Sequence, residues 1–481
     1  MACYALFVHD FSMRAILATS IAVTCTAALT LPLALPAGAT APERTATSTA
    51  RAARAPSAQA APDGIPGTTR SLPLRPLWPS DRAAATGAQG LAAYGVAPFS
   101  LVGVVWDDPA AALDGRAQVR TRPAGGTGWS GWQDIQAHDD DAPDPRSSEG
   151  HGGSVRGSTA PLWVGPSDAV ELRVVPERDG AGRAAVRRAL PAGMHLELVD
   201  PGEDSSQVRA ARTGAGGPKP PDGTGTLASV GSALGSLLGV FRIPAVNTPT
   251  RPRDDGDDTS ESRPSTPRPG TSQPSTGSRS HVGPRPAIVT RAGWGADEKL
   301  RERNFAYTRT VKAAFLHHSA TGNNYTCRQA PSVLRSIYRY HVKSSGWRDL
   351  GYNFLIDKCG TVYEGRAGGV TKPVKGAHTR GFNENTMGIA VLGTFENANP
   401  PSSAVSAVAR LTAWKLGLYG MDPRTTTSLV SGGGNRYKKG TRARLHVISG
   451  HRDGFSTECP GDRLYGKLGS VRSSAARLQG R

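Results

Sequence analysis

GHRDGFSTECP, residues 450–460, sets His451 and Cys459 eight positions apart on a segment rich in Gly, Ser and Thr. Upstream, the apolar run AAFLHHS (313–319) ends in a histidine pair and offers His317. Two imidazoles and one thiolate are a sufficient ligand set for zinc, with one coordination position left over. That open position separates a hydrolytic metal from a structural one, because water bound there is acidified to a pKa of about 7.

RLHVIS (444–449) reads as a strand feeding this loop, and AAFLHHS as a buried strand ending at His317. Ala330–Lys343 has helical apolar spacing with Pro331 in its first turn, and Pro401–Tyr419 is a second helix that also opens on proline. YNFLIDKCGTVYEGR (352–366) has the form of a hairpin turning at Cys359-Gly360. MGIAVLGTF (387–395) is a further buried strand, and a helix over 461–478 closes the chain. Strands interleaved with helices predict an α/β domain over 286–481, a mixed β-sheet flanked by helices.

The preceding chain has a different texture. Residues 91–200 hold short β-type runs, LVGVVW (101–106), QVRTR (118–122), WSGWQDI (129–135), PLWVG (161–165), VELRVV (170–175) and MHLELVD (194–200), separated by turn-rich spacers. They predict a small all-β domain, an antiparallel sandwich or barrel. Its tryptophans, Trp106, Trp129, Trp132 and Trp163, are expected in the core before they are read as a sugar-stacking face. Residues 42–90 are rich in Ala, Pro, Arg and Thr without periodicity and are expected to be disordered. Residues 201–285 form a Pro/Ser/Arg/Asp-rich linker, broken by one apolar patch at 227–241.

Residues 1–41 resemble an export signal: Met13-Arg14, a long run of apolar and small residues over 15–35, then Ala37, Ala39 and Ala41 in an A-x-A pattern. The twelve residues before Met13 fit that pattern poorly, which makes Met13 an alternative start. A secreted, cell-wall-associated protein is expected, with no membrane span after cleavage. Removal of the signal takes Cys3 and Cys25 and leaves Cys327, Cys359 and Cys459. Cys327 and Cys359 are able to pair in an oxidising compartment, closing a loop for about 3–4 kcal/mol on the chain-entropy account. Cys459 is then left for metal.

Charge is unevenly spread. Residues 286–481 carry 30 Lys and Arg against 12 Asp and Glu, a net +18 equal to that of the whole chain, so the first 285 residues balance at 27 against 27. Such a field favours an anionic partner. No nucleic-acid motif accompanies it, so nucleic acid is excluded and anionic wall polymers are the expected partner.

Five stretches carry a resemblance: IVTRAGWGADE (288–298), FLHHSAT (315–321), GWRDLGYNFLIDKCGTVYEGR (346–366), GAHTRGFNENTMGIAVLG (376–393) and ISGHRDGFSTECPGDRLY (448–465). In this order they resemble the peptidoglycan recognition protein family and the phage-lysozyme-like zinc amidases that share its fold. The resemblance implies Zn2+ as cofactor and cleavage of the amide between N-acetylmuramic acid and L-alanine in peptidoglycan. It implies His317, rather than His318, as a ligand with His451 and Cys459; alternation along a strand points the two neighbours in opposite directions. Tyr352 and Thr457 are implied at the catalytic position, and His378, Arg380, Asn383, Asn353 and Phe354 along the substrate groove. Arg348 and Arg366 are further candidates for peptide carboxylates. Some relatives replace the cysteine and only bind peptidoglycan, so a recognition module without turnover is the rival reading. A closed structural zinc site, with Asp453 as fourth ligand, is the third.

Overall fold

The computed structural model describes residues 66–77, 87–137, 141–179, 186–187, 189–203 and 281–481. The signal segment, most of 42–90, and most of the linker with its apolar patch at 227–241 lie outside the described residues.

The N-terminal β-domain is built on one nine-stranded sheet whose ladders are all antiparallel. Its path runs Pro66–Pro73, His195–Gly202, Phe99–Trp106, Leu162–Pro176, Gln89–Ala93, Arg75–Pro76, and Gly115–Pro123 also pairs with Leu162–Pro176. PLWVG and VELRVV, read as two strands, are the two ends of that single 15-residue strand. The expectation of disorder over 42–90 is corrected by Pro66–Pro73, Arg75–Pro76 and the start of Gln89–Ala93. Pro66–Pro73 is ordered by pairing along its length with His195–Gly202, a partner far off in sequence, so it needs no periodicity of its own.

Phe99–Trp106 is buried at every position because both of its faces are covered. Val102, Val104 and Trp106 pack into the β-domain's own core with Leu172, Val174 and Leu196. Leu101 and Val105 join Trp163 and Val199 in a second core with Ala330, Val333, Leu334 and Ile337 of the C-terminal domain. Trp106 and Trp163 are therefore core residues, while Trp129 and Trp132 are half-buried, with the Arg120 guanidinium over both rings. Gly103 allows this approach: a Cβ there would lie 2.4 Å from the Tyr340 hydroxyl, which donates to the Thr159 carbonyl at 3.1 Å.

The C-terminal domain is a six-stranded mixed sheet in the order Ile288–Val289, Val362–Glu364, Phe354–Ile356, Thr386–Val391, Ala313–His318, Ile448–Gly450. Only the 354–356/362–364 hairpin is antiparallel. The helix Ala330–Arg339, prolonged by a π-turn over Tyr340–Ser344, covers one face. Ser402–Gly417 and Leu468–Leu478 cover the other through Ala407, Leu411, Trp414, Val471 and Ala475. The run read as one strand over 444–449 divides. Arg442–His446 forms a separate hairpin with Thr426–Val430, and Ile448–Gly450 alone enters the main sheet. Cys327 and Cys359 form a disulfide that ties the start of the first helix to the hairpin turn. Among the described residues, no helix is long and apolar enough to cross a membrane.

Candidate metal centre

His317 lies near the carboxyl end of Ala313–His318, and the parallel strand Ile448–Gly450 delivers His451 beside it as the first residue of a short helix. The two imidazole centroids are 4.4 Å apart. The loop beyond the helix returns Cys459, whose Sγ is 3.7 Å from His317 Nδ1. One donor atom from each of His317, His451 and Cys459 lies within 4.8 Å of the others, and all three side chains are buried. The sulfur–nitrogen spacing suits zinc, since bonds of 2.3 and 2.0–2.1 Å in a tetrahedron keep S and N about 3.6 Å apart. His318 faces away: its Nδ1 accepts from the Phe395 N–H at 3.3 Å, and its Nε2 is 3.5 Å from Glu396.

A hydroxyl relay holds His317. Thr379 Oγ1 is 3.3 Å from His317 Nε2 and 3.0 Å from His378 Nδ1, and His378 Nε2 is 3.5 Å from Thr386 Oγ1. The threonine thus fixes which His317 nitrogen faces the metal position. Burial, reinforced by the nearby His317, pushes the His378 pKa well below its usual value and keeps that ring neutral. Gly388 makes room for the ring, because a Cβ there would lie 2.3 Å from His378 Cγ. His378, expected along the substrate groove, is fully buried with its ring edge-on to that of His317 at 5.3 Å.

Other expected contacts are redistributed. Phe354 is a core residue at 2% exposure. Asn353 clamps backbone, accepting from the Gly388 N–H and donating to the Val374 carbonyl, each at 2.8 Å. Thr457 accepts the Cys459 N–H at 3.2 Å, so it shapes the ligand loop. Asp453 accepts from the Gly450 N–H at 2.9 Å and the Tyr465 hydroxyl at 2.7 Å, and it is no part of the ligand set. Arg380 reaches toward the Pro109 carbonyl of the β-domain at 3.5 Å.

The residue missed by sequence reasoning is Asp141, from the β-domain. Its Oδ1 is 2.9 Å from His317 Nδ1 and 3.3 Å from His451 Nδ1, and its Oδ2 accepts the Tyr352 phenol at 2.8 Å. Burial pulls the His317 imidazole down, but the Asp141 carboxylate and the Cys459 sulfur outweigh burial and raise its pKa to about 9. Two more carboxylates follow. Asp144 Oδ1 accepts from the Gly381 N–H at 2.7 Å and Asn383 Nδ2 at 3.0 Å. Glu149 takes Arg366 in a two-pronged pair at 2.6 and 2.9 Å and accepts the Arg348 N–H at 3.1 Å. The only sequence signal was an acidic run, DDDAPD (139–144), in a spacer.

Residues 307–462 match the family model described as N-acetylmuramoyl-L-alanine amidase, and residues 45–194 match one described as Rv3811 N-terminal galactose-binding domain-like. Peptidoglycan-recognition protein SC2 of Drosophila simulans is 34% identical over 183 residues, 38% of this chain and 84% of that protein. A human N-acetylmuramoyl-L-alanine amidase is 30% identical over 187 residues, 38% of this chain and 28% of its own length. Among solved structures, wild-type Drosophila PGRP-LB is 26% identical, with 38% of this chain and 93% of that one covered and a TM-score of 0.30.

Proposed function

The chain belongs, through its C-terminal region, to the family of peptidoglycan recognition proteins and type 2 amidases, and from that premise we propose that it is a secreted zinc hydrolase. Its architecture is a galactose-binding-like domain followed by the amidase fold. The bond cut is the amide between N-acetylmuramic acid and L-alanine. The observation that carries this reading is the convergence of His317, His451 and Cys459, with the sulfur ligand kept.

Bound zinc would supply a Lewis acid and water acidic enough to ionise near neutral pH. The chain's own groups do the rest. Thr379 orients His317 through Nε2. The Tyr352 phenol, now donating to a carboxylate oxygen beside the imidazoles, is aimed at whichever oxygen takes that place, including one that gains charge as the amide carbon becomes tetrahedral. An ordinary phenol titrates near 10, so at neutral pH Tyr352 serves as a donor.

Secretion and attachment to the wall are part of this proposal. A disulfide between Cys327 and Cys359 suits an oxidising compartment. The net charge of +18 on residues 286–481 suits anionic wall polymers, an attraction that salt weakens. The second reading, binding without turnover, is favoured by one observation: the Asp141 carboxylate lies against both imidazole ligands, where a metal-bound water would be needed.

Product identity decides between them. Purified peptidoglycan incubated at length with the zinc-loaded chain should yield new L-alanine amino termini, lost with a chelator and restored by zinc. New reducing ends without such termini would replace the amidase by a glycosidase, and the absence of either from wild type and from Asp141→Ala alike would favour binding alone.

A further inference from the structure

We propose that residues 141–149 of the β-domain are a built-in occupant of the catalytic groove, an acidic segment that holds the enzyme latent, with the Asp141 carboxylate at the fourth position of the metal centre. The proposal rests on the zinc amidase reading above.

Asp141 Oδ1 meets the Nδ1 atoms of both His317 and His451, at 2.9 and 3.3 Å. A carboxylate oxygen is itself a regular zinc ligand, so it can fill the position that hydrolysis needs open. Its other oxygen engages Tyr352, the remaining polar group of the centre. All three ligands are fully buried in this arrangement, with the Asp141 carboxylate against two of them.

Two anchors follow within eight residues. Asp144 lies on the Gly381 N–H and Asn383, with Lys375 Nζ at 3.9 Å. Glu149 lies on Arg366 and the Arg348 N–H, and Asn383 Nδ2 also donates to the Ala142 carbonyl at 2.9 Å. Each carboxylate therefore meets its own cluster of donors, the arrangement expected when a groove made for an anionic peptide is filled by one. The groove's ligand class is then an acidic peptide, and such a substrate competes with the segment for the same donors. The shared core around Leu101, Val105, Trp163 and Ile337 keeps the segment beside its site at high effective concentration.

The test uses the full chain loaded with cobalt in place of zinc, titrated with azide and followed by visible absorption. Asp141→Ala should bind azide at least tenfold more tightly than wild type, because a competing internal ligand weakens apparent affinity by the fraction of sites it leaves open. Glu149→Gln, an anchor away from the metal, should shift azide binding in the same direction. Release of L-alanine termini by the zinc forms should rise in the same order. Equal azide affinity in all three proteins would overturn the proposal. So would loss of metal and of activity in Asp141→Ala, which would make Asp141 an essential ligand or base. Tighter azide binding in the variants with no L-alanine termini from any form would leave the occupancy standing and remove the amidase.

Discussion

At the scale of single residues, the proposed hydrolysis divides the centre into groups that would touch the reacting atoms and groups that would aim them. Tyr352 belongs to the first kind. In the Asp141→Ala background, Tyr352→Phe should retain zinc while slowing amide cleavage roughly a hundredfold, the usual cost of one oxyanion donor, as read by paired metal analysis and rate. An unchanged rate would remove the phenol from the chemistry. Thr379 belongs to the second kind. Thr379→Val keeps the shape but strips the hydroxyl from His317 Nε2, and zinc affinity should fall about 10- to 100-fold, measured by competition with a chelating dye. Sequence reasoning assigned His378 to substrate and overlooked Thr379 next to it. A polar GAHTRG loop looks solvent-facing when read alone; only the Phe315–Gly388 register folds it beneath the sheet's histidine.

At the scale of elements, the regular pieces of the C-terminal domain were legible because each carries its own pattern. AAFLHH is a run with both faces buried, Ala330–Arg339 has helical spacing behind a proline, and the 354–364 hairpin turns on Cys359-Gly360. What escaped was order imposed from outside. Thr426–Val430 has alternate exposed positions and is held by Arg442–His446, so nothing in TTSLV itself marks a strand. Pro66–Pro73 owes its extension to His195–Gly202. Asp141 reads as one more charge in a solvated spacer until two domains close over it. The contact between Gly103 and Tyr340 is one close point of that closure. Gly103→Ala should destabilise the protein by about 1–3 kcal/mol in denaturant titrations, since the buried phenol has little room to withdraw. A change within experimental error would show that the two domains are held elsewhere.

At the scale of the whole molecule, the β-domain and the C-terminal domain share a core and a row of charge contacts, and the latter make their union depend on pH. Burial raises the Glu149 carboxyl, but the Arg366 guanidinium outweighs it and holds the group below its ordinary 4.5. A folded value lower than the unfolded one stabilises fully above about 4.5 and fades as pH falls through the folded value. The gap in melting temperature between wild type and Glu149→Gln should therefore be widest above about pH 5 and narrow as the pH falls below the ordinary glutamate range. A gap independent of pH would mean that the pair contributes through shape alone. Every functional statement depends on remote strands and a returning loop gathering two imidazoles and one sulfur about a single ion. Zinc-edge X-ray absorption on the full chain measures that shell directly. The shell should hold one sulfur at about 2.3 Å with nitrogen and oxygen neighbours at about 2.0–2.2 Å, the sulfur vanishing in Cys459→Ser. A shell without sulfur, or a chain that takes up no zinc, would contradict it.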